Sequence, residues 1–132
     1  MPDAREQHEY KASLRVFSAS LTMADLVAAL GGPDHGYDIG DPVGSCTDGP
    51  RRTMSHWSLH SRVERTRPLD EHVAELVEFV EGHRRAFEAL EADVDIFCGV
   101  FTADDAQGGF TFTADLLRRL AELGLEVGFD LY

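Results

Sequence analysis

The chain is 132 residues long and carries 12 Lys and Arg against 24 Asp and Glu, a formal net charge of -12. The length suits one domain with a single core that needs no staple. The charge repels phosphate backbones and anionic headgroups, so neither nucleic acid nor a membrane surface is an expected partner. No apolar run reaches the length of a membrane span and no signal-peptide pattern opens the sequence, which makes a cytoplasmic protein the expectation.

Residues 1–9 read as a flexible leader and residues 10–132 as a single α+β domain. Tyr10–Ser18 alternates: Tyr10, Ala12, Leu14 and Val16 share one face, while Lys11, Ser13, Arg15 and Phe17 share the other, as a strand requires. Thr22 then serves as an N-cap with Asp25 three residues on, and Met23, Leu26, Val27 and Leu30 form the apolar stripe of a helix that Gly31-Gly32-Pro33 ends. Asp34–Arg52 is rich in Gly and Pro without periodicity and reads as a long irregular loop. Thr53–Ser61 holds the sole Trp and alternates again, with Trp57 and Leu59 on an oily face and His56, Ser58 and His60 on a polar one.

Leu69, Val73, Leu76, Val80, Phe87 and Leu90 recur at helical steps, predicting a helix over 69–90 with a break near Gly82 and with His83 partly buried on the stripe. Asp95–Thr102 and Gly109–Phe112 read as two strands joined by a hairpin at Asp104–Gly108. Thr113 caps a third helix with the stripe Leu116, Leu117, Leu120 and Leu123, closed by Gly124. Leu125–Tyr132 reads as a last strand, with Leu125, Val127, Phe129 and Leu131 inward and Glu126, Gly128, Asp130 and Tyr132 outward. The expected fold is a two-layer α+β sandwich in ferredoxin-like style. One mostly antiparallel or mixed five-stranded sheet carries the helices on one face and leaves a polar face bare.

The opening Ser13-Leu14-Arg15-Val16-Phe17, the Arg51-Arg52 and Trp57-Ser58-Leu59 segment with Ser61, the helix start Leu69-Asp70-Glu71-His72, and the ending Leu120 to Tyr132 together resemble the bacterial domain of unknown function 4279 family. The resemblance spans about Tyr10 to Tyr132. It implies a small intracellular bacterial protein of this fold and no particular chemistry. By analogy alone, some bacterial families of this size and charge are immunity or accessory proteins of toxin systems.

The constellations that could carry chemistry are thin. His56 and His60 share a strand face but lie ~13 Å apart at the usual rise, too far to hold one metal together. Cys46 and Cys98 have no metal or redox spacing, and free thiols are expected. Ser55, Ser58 and Ser61 lie near histidines in sequence but not in a strained glycine-flanked turn, so no catalytic set is expected. No metal site or other cofactor is expected, and Lys11, the sole lysine, reads as a solvated strand residue. Arg51 and Arg52, just before the Trp57 strand, form a compact basic spot, fit to grip a carboxylate or phosphate or to sit screened among acids.

The leading expectation is a non-enzymatic protein-binding module, immunity-type in its most concrete version, with a basic protein as partner and the chain itself a monomer or homodimer. Its candidate binding residues are Arg15, Arg51, Arg52, His56, Trp57, His60 and Asp130. The alternative is a small-molecule or anion-binding module built on Arg51, Arg52, His56 and Trp57. A small hydrolase or transferase comes third and needs a deep pocket beside the histidines.

Overall fold

The structure, a computed structural model, describes residues 8–45, 48–102 and 109–132. Nine elements follow in order: β1 (Glu9–Ser18), α1 (Met23–Leu30), β2 (His35–Tyr37), β3 (Ser55–His60), α2 (Leu69–Gly82), α3 (Arg84–Glu88), β4 (Asp93–Phe101), α4 (Ala114–Glu122) and β5 (Glu126–Leu131). The strands form one five-stranded sheet in the order β2-β3-β1-β4-β5. All neighbours run antiparallel except β4 and β5, the parallel pair joined by the crossover through α4.

Register explains the two faces. Val16 stands between Trp57 of β3 and Val94 of β4, and Leu14 between Leu59 and Ile96. Val16, Leu14, Trp57 and Ile96 are all fully buried, and the helices contribute Leu26, Leu30, Leu69, Val73, Leu76, Val77, Val80, Leu116 and Leu120 to the same core. Apolar area removed from water on this one side is the main source of stability. The helix starts use the capping chemistry of the sequence. Thr22 and Asp25 form a reciprocal capping box on α1, and the Thr113 hydroxyl accepts from Leu116 N–H on α4.

Several expectations are corrected. The 34–52 segment is no structureless loop, because its start forms β2 on the edge of β3 and Pro42 bridges Arg51 further on. A three-residue strand is too short to show alternation. Its central Gly36 is obligatory: a Cβ there would stand 2.3 Å from the His56 carbonyl oxygen and 2.5 Å from Met23 Cε. Two aspartates pin its flanks. Asp38 accepts from Met23 N–H at 3.0 Å and from the Ser55 hydroxyl at 3.1 Å, while Asp34 accepts from His60 N–H and is held down to a pKa of about 2, chiefly by Arg62.

Gly109–Phe112, expected as a strand, is not one. Both edges of β4 are already occupied by β1 and β5, so no ladder position is left for it there. Phe110 and Phe112 instead pile onto Phe129 at 5.3 and 6.1 Å. The hairpin expected at 104–108 and Cys46 lie outside the described residues, as do residues 1–7 of the expected leader. The long helix does break, ending α2 at Gly82 and restarting after His83, but His83 is exposed rather than partly buried. Val27 and Leu117 also face out of their helices, and Phe129, on the edge strand β5, is 42% exposed.

Candidate functional site

The bare face of the sheet is built from the alternate residues of five strands. Across its middle runs the row His35, Ser58, Arg15, Asp95 and Glu126; below it run Tyr37, His56, Phe17 and Asp93; above it run His60, Ser13, Phe97 and Gly128. These positions follow from period-two geometry once the neighbouring residues are committed to the core.

Arg15 holds the centre. Its Nε and a terminal nitrogen donate to the two Asp95 carboxylate oxygens at 2.8 and 2.7 Å, a bidentate fork. The guanidinium also lies 4.4 Å from the Phe97 ring centroid and 5.3 Å from that of Phe17. Phe97 lies close against Gly128, where an added Cβ would meet the ring at 3.1 Å. A cation gripped by two rings and one carboxylate is presented with its rotamers already restricted.

Toward one end, Phe101 and Tyr132 stack at 4.6 Å with planes 5° apart, and Lys11 and Arg65 approach Phe101 at 5.4 and 5.2 Å. Asp130 holds the Tyr132 phenol above its ordinary pKa. Toward the other end, His56 stacks on Phe17 at 4.4 Å, with Tyr37 at 5.2 Å and His35 at 6.1 Å. Arg52 sits 4.0 Å over Tyr37. His56 is only 8% exposed, and among the described residues its Nδ1 has no hydrogen-bond partner. Burial first, then the charges of His35 and Arg15, hold its pKa below the usual histidine range.

The structure therefore gathers Arg15, Arg52 and His56 around Phe17 and Tyr37. His60, hydrogen-bonded to Ser13 at 2.7 Å, and Asp130, opposite Gly99, occupy the same face farther out. Arg51 reaches the Gly40 carbonyl at 3.2 Å beside its bridge to Pro42. Trp57 does not join them: it is fully buried on the helix side, and its indole N–H donates to the Gly31 carbonyl at 2.9 Å. A ligand site combining Trp57 with His56 would have to pass through the sheet, so that grouping is corrected.

Sequence reasoning placed Phe17 and Tyr132 on this face but missed Tyr37, Phe97 and Phe101. The signal for the last two was present, since they share the parity of Asp95 and Gly99, but from Ile96 to Phe101 β4 carries apolar residues on both faces and masks its own alternation. Tyr37 became visible only once β2 was known.

Where β1 ends, a cavity of about 480 Å³ opens beside the face, with Phe17, Phe87, Asp93, Asp95, Glu122 and Glu126 among its lining residues. Among the described residues no three His, Cys, Asp or Glu side chains are placed to hold a metal ion. The Cys98 thiol is buried in the core and pushed up to about 12, so it is inert at neutral pH. Among the described residues no helix is long and apolar enough to cross a membrane.

No curated protein and no solved structure matches the chain. A family profile does, over residues 8–132, and by that match the chain belongs to the family described as domain of unknown function DUF4279.

Proposed function

We propose that this chain is a cytoplasmic, non-enzymatic module that binds another protein across the bare sheet face, neutralisation of a basic toxin being its most concrete form. One observation carries the reading: Arg15 held between Phe17 and Phe97 and forked onto Asp95, at the centre of the face that, among the described residues, no helix covers. Aromatic rings and arginines that are already immobilised lose little freedom on docking, and these residue types dominate binding energy at protein interfaces. Carboxylates frame them: Glu9, Asp93, Asp95, Glu126 and Asp130 share the face with Lys11 and Arg15. Together with the net charge of -12, this suits a basic partner and speeds its encounter.

The test compares affinity capture by the natural chain with capture by a variant carrying Lys11→Ala, Arg15→Ala and Tyr132→Ala, each checked for an intact melting transition. A control variant, Val27→Ser, alters an exposed residue of α1. The reading expects one protein to be retained by the natural chain and the control but lost from the triple variant. Equal retention by all three would contradict it.

A further inference from the structure

The two edges of the sheet differ. β2 is three residues long, whereas β5 presents Glu126–Leu131 and, among the described residues, pairs only with β4. Tyr132 N–H donates to the Val100 carbonyl at 2.9 Å, which sets the alternation: even-numbered residues bond β4, and the N–H and C=O of Val127, Phe129 and Leu131 face away from it. Proteins ordinarily blunt such an edge with lysine, proline or a very short strand. Leu120 to Tyr132 contains no Lys, Arg or Pro.

Its side chains sort by face. Val127, Phe129 and Leu131 lie on the helix side, while Glu126 and Asp130 lie on the bare side. Phe129 is 42% exposed even with Phe110 stacked on it, and Leu131 is 71% exposed. At the far end a groove of about 380 Å³ lies between Tyr10, Val100, Phe110, Leu131 and Tyr132. An apolar side is thus continuous with a groove, and an acidic side has no basic residue of the same strand to neutralise it.

We infer that the β5 edge accepts an extended segment of a partner protein, alternating apolar residues with Lys or Arg, as one more strand of the sheet. The outward main-chain groups of Val127, Phe129 and Leu131 make the ladder, and the guest's apolar side chains cover Phe129 and Leu131. Its cations stand beside Glu126 and Asp130 as cross-strand ion pairs. A second copy of this chain fits poorly. It brings another charge of -12, and its own Glu126–Leu131 edge supplies no Lys or Arg to stand beside Glu126 and Asp130. The edge shares Glu126 and Asp130 with the bare face, but its ladder is made by outward main-chain groups of β5 that the bare-face reading does not use, so slowed exchange at those amides and Arg15-dependent capture are separate outcomes.

The test titrates the 15N-labelled chain with three hexapeptides: alternating Arg and Val, the same residues in two blocks, and alternating Glu and Val. The alternating basic peptide should bind at least about tenfold more tightly than either control and should slow amide exchange at Val127, Phe129 and Leu131. A Glu126→Lys, Asp130→Lys variant should reverse the preference toward the acidic peptide. Equal binding of the block peptide, shifts confined to Phe17 and Phe97, or no binding would overturn the inference. So would protection of the same amides by concentration-dependent dimerisation without peptide. The peptide series on the natural chain decides the matter even if the double variant fails to fold.

Discussion

The two sides of β1 carry opposite physics on one backbone. Leu14 and Val16 have no exposed surface and pack under the helices, whereas Arg15 and Phe17, their immediate neighbours, meet rings, a carboxylate and water. On the covered side stability scales with area and is insensitive to direction. On the bare side it comes from oriented pairs, each worth a fraction of a kcal/mol to about 1 kcal/mol. The lesson is a division of labour: the covered side sets the fold, and the bare side can vary its chemistry at little structural cost.

The largest break in that comparison is Trp57→Ala. Removing the fully buried indole empties the core under β3 and leaves the Gly31 carbonyl without its donor, so urea unfolding should report a loss of about 3–5 kcal/mol. A loss below about 1 kcal/mol would mean that Trp57 is not in the core.

Acid comes next. His56 and His72 are both buried, and burial is the first cause holding each pKa below the ordinary histidine value. The unfolded chain takes up protons near pH 6.5 that the folded chain refuses, so stability is level above that pH and falls as pH drops through and below it. Urea midpoints measured from pH 7.5 to 5 should decline, and His56→Phe, which keeps a ring on Phe17, should shrink the decline. An unchanged pH profile in that variant would show that His56 is not protected from protonation.

The smallest effect is expected at the centre of the bare face. The Arg15 and Asp95 side chains are each 30% exposed, so Arg15→Ala should cost only about 1 kcal/mol of stability, its pairing discounted for solvent. A loss as large as that of Trp57→Ala would erase the distinction between the sides.

The same distinction governs what the sequence discloses. Period-two patterning in Tyr10–Ser18 and around Trp57 was enough to orient both strands, because one face of each is apolar and the other is not. The helix caps at Thr22 and Thr113 are local chemistry and were legible for that reason. β2 was hidden because Gly36 is selected by the approach of His56 and Met23, a tertiary contact that leaves no periodic trace. The Gly109–Phe112 segment looked like a strand because composition cannot report that both edges of β4 are taken. Of the candidate site, Arg15, His56, His60 and Asp130 were placed on the bare face by alternation alone. The rings that immobilise Arg15 needed the register of β4.

The central claim, one shielded side and one bare side, is tested most directly by NMR with a soluble paramagnetic relaxation agent. The account predicts strong broadening of the Lys11, Phe17, Phe101 and Tyr132 side-chain signals and almost none of the Trp57 indole N–H or the Leu14 and Ile96 methyls. Equal broadening of the two sets, or a sharp Phe17 beside a broadened Trp57, would contradict it.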